Sequence, residues 1–295
     1  MKRILAIITV IFLCTNILGC SSGDNNIHIA ATTLPVYEFT SVICEGTDIR
    51  VDRLINENVS CLHDYSLQVK QMQTIDRADT VIISGAGLED FLDDVLQDKS
   101  KIIDGSTGIP LLCSSDKETN HDHKHEAHHH NYDPHIWLSP TNAKEMAKNI
   151  YIALSAKYPQ YSDTFQINFD KLCNKFDVLI NYADESLSDL RCKSIITFHD
   201  GFQYMAADFD LSILRAIEEE AGREASAAEL IEMINIVSSN NLNAIFTEKN
   251  SSSAAATVVS AETGACLYTL DMAMSGDSYF TAMYHNIDTL KEALK

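Results

Sequence analysis

From Ser162 to Leu190 the chain carries one long helical stripe, in which Phe165, Phe169, Leu172, Phe176, Leu179, Ile180, Ala183 and Leu187 recur at three- and four-residue spacing. At 1.5 Å of rise per residue the pattern predicts a rod roughly 40 Å long, about the width of two small domains side by side. A rod of that length in mid-chain acts as a spine, and the residues on either side of it must fold as bodies of their own. Both flanks show the same alternation. Before the spine, short apolar runs at 28–34, 49–54, 80–84 and 101–104 alternate with helical patterns at 36–44, 66–78 and 88–96; a further helix over 141–157 then ends before Pro159. After it, runs at 194–198, 211–216, 244–246 and 266–270 alternate with helical patterns at 202–209, 225–240 and 251–263. Strands alternating with helices imply parallel sheets with helical crossovers. The expected fold is therefore α/β: two βα sandwich lobes, 27–158 and 191–295, joined by a backbone helix over 159–190, with a cleft between them.

Length and composition suit an exported, folded chain. The 295 residues are 45% hydrophobic, enough for the cores of two domains of ordinary size. Against 22 basic residues stand 42 acidic ones, a net charge of −20 that repels nucleic acid and gathers cations; nucleic acid is excluded as a partner. Lys2 and Arg3 precede an apolar run from Ile4 to Leu13 that is too short to span a bilayer. With Gly19-Cys20 behind it, the pattern predicts a signal peptide over 1–19, a lipid on Cys20, and a polar leash over 20–26 that tethers the chain to the outer face of a bacterial membrane. Leu18 is bulkier than the residue usual at its place in such a signal. Of the other cysteines, Cys44, Cys61, Cys113, Cys173, Cys192 and Cys266, no two form a CxxC pair, so neither a zinc ribbon nor a thioredoxin-type site is indicated. Most are expected to be small buried hydrophobes, with a Cys192–Cys266 pairing left open.

Histidine carries the chemistry. The stretch 113–133 has no apolar periodicity, cannot bury a face, and holds His121, His123, His125, His128, His129 and His130. Imidazole is a borderline-soft donor suited to zinc, and such a density serves no packing purpose. His125-Glu126-Ala127-His128-His129 matches the zinc-protease pattern H-E-x-x-H, but that chemistry needs an ordered amphipathic helix, which these polar surroundings do not predict. The tract is expected instead to gather zinc weakly near the mouth of the cleft. Elsewhere, His63, His135 and His199 each lie just past a predicted strand or connecting turn, and Asp271 ends the last strand. In open parallel sheets ligands bind beyond the carboxyl ends of the strands. Two donors from each half could close around one ion, and zinc accepts four such donors tetrahedrally. Glu248 is the alternative to Asp271, and Cys61 could approach the ion in place of His63. The solitary His28 and His285 are expected to be non-ligands.

Several short runs together resemble a known family: His63-Asp64-Tyr65, Gly85-Ala86-Gly87-Leu88-Glu89, Asp133-Pro134-His135-Ile136-Trp137-Leu138, Phe198-His199-Asp200-Gly201-Phe202, and Glu262-Thr263-Gly264-Ala265 leading to Leu270-Asp271. In combination they are similar to the zinc- and manganese-binding lipoproteins of bacterial ABC importers, and the resemblance covers essentially the whole mature chain. It implies two lobes on a backbone helix and one metal in the cleft. It also implies a monomer that delivers the ion to a membrane permease driven by a cytoplasmic ATPase. By position the family's four ligands fall on His63, His135, His199 and Asp271. The chain departs from the pattern at Cys61-Leu62, where the family has Asp-Pro, and it lacks the Pro that commonly follows Asp64-Tyr65. The family's manganese binders tend to carry a carboxylate at the third position; His199 makes the set three nitrogens and one oxygen, so Zn²⁺ is the expected cargo and Mn²⁺ the alternative. A secreted zinc hydrolase, with the histidines as ligands and Asp271 or Glu248 as base, is the competing class. An adhesin or zinc buffer on the same fold is a third.

Overall fold

The computed structural model describes residues 26–58, 62, 65–113, 132–217 and 225–295. In the first half, β1 (Ile27–Ala31), β2 (Ile49–Arg53), β3 (Thr80–Ile83) and β4 (Ile102–Asp104) form one sheet of order β2-β1-β3-β4, every pair parallel. In the second half, β5 (Ser194–Thr197), β6 (Ser212–Ala216), β7 (Ala244–Glu248) and β8 (Cys266–Leu270) form another, of order β6-β5-β7-β8, again all parallel. The two orders are the same topology used twice. In each, the chain leaves the first strand toward one edge and returns to build the other, so the crevice beyond β1 and β3, and that beyond β5 and β7, are switch points.

The helices follow local rules. Helix α1 (Leu34–Ile43) carries Pro35 in its first turn, where a missing N–H costs nothing, and so the strand expected over 28–34 stops at Ala31. Helices α2 (Val69–Arg77) and α3 (Pro140–Lys157) come next, the latter capped by Ser139, whose hydroxyl accepts from the Asn142 N–H. The spine is α4 (Ser162–Leu187), 26 residues long. It buries Phe165, Leu172, Phe176, Leu179 and Leu187 and packs against α1, α3 and the last helix. Asn168 on the spine donates to the Ile43 and Glu45 carbonyls at the end of α1, pairing backbone oxygens that a helix terminus leaves over. In the second half come α5 (Gln203–Asp208), α6 (Ala227–Ser239), α7 (Ala254–Thr263) and α8 (Tyr279–Leu294).

Three expectations are corrected. The helix expected over 88–96 is only a 3₁₀ turn, Asp90–Leu92. Leu88, Leu92 and Leu96 are still buried, but Gly85, Ala86 and Gly87 all take positive φ and the Glu89 side chain folds back onto the Ser84 and Gly85 N–H groups, so the segment turns instead of starting a helix. Secondly, α8 has no counterpart in the sequence reading. It is central, because Tyr279 packs edge-on to Phe39 of α1, with ring centroids 5.1 Å apart, while Phe39 meets Phe176 of the spine at 5.3 Å. One apolar core thus runs from the first sheet through the spine into the second half, with a smaller core under α6 and α7. Thirdly, among the described cysteines only Cys44 is buried. Cys113 and Cys266 are exposed, Cys173 and Cys192 are half-buried, and all five are free thiols, which closes the Cys192–Cys266 question; Cys61 lies outside the described residues. No helix among the described residues is long and apolar enough to cross a membrane.

Candidate metal centre

Two imidazoles meet where the halves face each other. His135 stands at the start of the 3₁₀ turn Ile136–Leu138, just ahead of α3, and is 1% exposed. His199 emerges two residues past β5 and is 6% exposed. Their rings lie edge to face with centroids 5.3 Å apart.

Each ring is backed by a carboxylate on its Nδ1 side. Asp133 Oδ1 lies 2.7 Å from His135 Nδ1 and also accepts the His135 backbone N–H at 2.9 Å. A carboxylate at Nδ1 favours the tautomer with the ring hydrogen on Nδ1 and the lone pair on Nε2. Glu248, the last residue of the wholly buried β7, stands 3.4 Å from His199 Nδ1 through Oε2. This puts Glu248, weighed above as a ligand, behind a histidine, in the place of an orienting partner. Gly201 completes the setting of His199. A Cβ there would come within 2.9 Å of His199 Nε2 and 2.7 Å of the Met272 methyl, so only glycine lets both groups close over the backbone.

Asp271 follows β8 and is held on all sides. Asn286 of α8 accepts its N–H at 2.7 Å and donates to its carbonyl at 2.8 Å. Its Oδ1 accepts from the Ala273 N–H, and its Oδ2 pairs with Lys249 Nζ at 2.8 Å. The loop beyond it is gripped from the first half: Trp137 donates to the Met272 carbonyl at 2.8 Å, and the Arg53 guanidinium to Met274 and Gly276 at 2.6 and 2.8 Å. Asp208 of α5 ties the halves again by accepting from the Ser139 hydroxyl.

The base of the histidine-dense segment is closed locally. Cys113 and Tyr132 form an antiparallel bridge and the Asp133 N–H donates to Leu112 O. The Tyr204 hydroxyl accepts from the Leu112 N–H and donates to the Asp133 carbonyl. His121, His123, His125, His128, His129 and His130 lie outside the described residues, as do His63, Cys61 and Cys20. His28 sits in the first turn of strand β1, at the opposite end from the cleft, and His285 is on the surface of α8.

His199 and Asp271 lie just past the ends of β5 and β8, Glu248 ends β7, His135 opens the turn ahead of α3, and the two imidazoles are in contact. Among the described residues no group of three or more His, Cys, Asp or Glu side chains is gathered closely enough to hold an ion. Asp271 is instead engaged by Lys249. Sequence reasoning missed Asp133 as a partner of His135, and Lys249 altogether. The lysine follows from the register Glu248↔Leu270 between β7 and β8, which sets the next residue of each strand side by side and which the sequence alone does not show.

Comparison with known proteins gives the family. Residues 29–293 match the family profile described as ZnuA, zinc-uptake complex component A, periplasmic. The zinc-binding lipoprotein AdcA of Streptococcus pneumoniae is 33% identical over 311 aligned residues, which take in 99% of this chain and 61% of that one. The chain thus spans about three-fifths of the length of that relative. The zinc-bound ZnuA-like domain of the same pneumococcal protein superposes with a TM-score of 0.75 at 30% identity, covering 92% of this chain and 99% of that domain. The metal-dependent lipoprotein YcdH of Bacillus subtilis does so at 0.74 and 25%, covering 91% and 99%. With the match running across both sheets and the spine between them, the chain belongs to the family of zinc-uptake complex component A.

Proposed function

We propose that this chain captures Zn²⁺ outside the cytoplasm, held to the membrane by a lipid on Cys20, and delivers the ion to an ABC-type permease powered by a cytoplasmic ATPase. The ligands in this reading are His63, His135, His199 and Asp271. The observation that carries it is the pair of buried imidazoles, each with a carboxylate at Nδ1. Zinc bonded at 2.0–2.1 Å sits about 3.2 Å from an imidazole centroid, so two rings at the tetrahedral angle have centroids about 5.2 Å apart. The spacing of 5.3 Å between His135 and His199 supports a shared ion. Four protein donors fill the tetrahedron and leave no position for a reactive water, which favours reversible capture over hydrolysis.

The test is thermal melting of metal-stripped protein. Zinc at 100 times its dissociation constant adds about 2.7 kcal/mol to a site that binds only the folded state. His199→Ala removes that shift at the same zinc concentration, whereas deletion of residues 121–130 leaves most of it. An unchanged melting curve on adding zinc to the stripped wild-type protein, or a deletion as damaging as His199→Ala, contradicts the reading.

A further inference from the structure

Lys249 continues the ladder beyond the end of β7, its N–H donating to Leu270 O at 2.8 Å, and this sets its side chain beside Asp271. The two side chains are unequal partners. The carboxylate of Asp271 is 7% exposed, whereas the lysine is 49% exposed and reaches in from solvent. With Ala273 N–H on Oδ1 and Lys249 Nζ on Oδ2, both oxygens of Asp271 are occupied from its own half of the molecule.

We propose that the Lys249 ammonium is a built-in substitute for the cargo cation, which holds Asp271 while no ion is bound and swings out to solvent when Asp271 turns to the metal. The proposal rests on Asp271 being a ligand. A buried carboxylate left without a counter-charge is strongly unfavourable, so exchanging one cation for another keeps Asp271 compensated throughout loading and release. Affinity is lowered by the strength of the pair that must be broken, and the returning ammonium favours release. Lysine suits the task. Its compact charge on a flexible, half-exposed stem can leave and return, whereas the planar fork of arginine would grip both oxygens of a carboxylate.

The experiment compares Lys249→Met and Lys249→Gln with the wild-type chain, alone and combined with Asp271→Ala. Zinc affinity is read by competition with a chromogenic chelator at fixed ionic strength, and melting temperature is read for stripped and zinc-saturated protein. Removing the ammonium is expected to tighten zinc binding about fivefold, equivalent to about 1 kcal/mol, and to slow transfer of zinc to the chelator. The stripped variants melt below the stripped wild type, while the zinc-saturated ones do not. In the Asp271→Ala background both effects of the lysine substitution vanish. If they persist there, Lys249 acts by long-range repulsion alone and the substitute role is overturned. Unchanged affinity in both lysine variants, in a protein that Asp271→Ala disables, overturns the lysine's role and leaves the ligand set standing. Normal zinc binding by Asp271→Ala overturns the ligand set and this proposal with it.

Discussion

The two sheets share one topology, yet their switch points are finished in opposite ways. Beyond β1 and β3 the crevice is filled. Glu89 is wholly buried there and accepts from the Thr32 hydroxyl, the Ser84 N–H and the Gly85 N–H at 2.6, 2.7 and 3.0 Å. Beyond β5 and β7 the buried groups meet across the cleft: His199 two residues past β5 and Glu248 at the end of β7 lie side by side, and the ring lies against His135. A carboxylate is used in both places. In the first sheet it is the acceptor that completes the backbone, and in the second it is the support that orients an imidazole. The same strand order can thus carry a carboxylate that closes the backbone or one that backs an imidazole, depending on what the neighbouring strand end supplies.

This contrast predicts a double dissociation. The largest effect is expected from Glu89→Ala, which leaves three buried donors without their acceptor and costs on the order of 3 kcal/mol. For a chain of this size that is a drop of roughly 6–12 °C in melting temperature, measurable by calorimetry, with zinc affinity in the folded protein unchanged. A zinc affinity that falls along with stability would break the comparison.

Asp133→Asn is expected to act the other way, weakening zinc binding about 10–100-fold in a chelator competition while the stripped protein melts nearly as before. Glu248→Gln follows in the same direction and more weakly, since its contact with His199 is 3.4 Å against 2.7 Å for Asp133 and His135. Equal losses in the two variants would mean that the contact distances do not rank the two supports.

The last test is a pH slope. Burial outweighs the three donated hydrogen bonds and lifts the Glu89 carboxyl to about 7 from its ordinary 4.5. The folded chain therefore keeps a proton that the unfolded chain releases, so this group's contribution to stability is full below pH 4.5 and declines as pH rises toward 7. Glu89→Gln removes that decline. Denaturant titrations of the stripped proteins at intervals between pH 4.5 and 7 should show the wild type losing stability relative to the variant, and parallel curves would show that folding does not raise the Glu89 carboxyl.

How much of this was legible depends on whether the cause was local. The spine was, because Phe165, Leu172, Phe176, Leu179 and Leu187 lie on one face through their own spacing. The strands were too, to within a residue or two at most ends. Helix α8 was not, although Ala282, Met283, Ile287, Leu290 and Leu294 have helical spacing. Its buried face also contains Asn286, whose burial makes sense only once Asp271's backbone is there to pair with it. The 3₁₀ turn at Asp90–Leu92 had the leucine pattern of a helix, and what defeats the helix is a side-chain return from Glu89 to residues before it. At the candidate metal centre, residue types and strand-end positions suggested His135, His199 and Asp271, and the structure brings the first two into contact. The pairing of Lys249 with Asp271 depends on strand register, which no single segment reveals.

The Tyr204 hydroxyl, bonded at once to Leu112 and Asp133, fixes the two stumps of segment 114–131 independently of what joins them. Asp133, the support of His135, is thereby anchored to α5 and to Leu112 by bonds of its own.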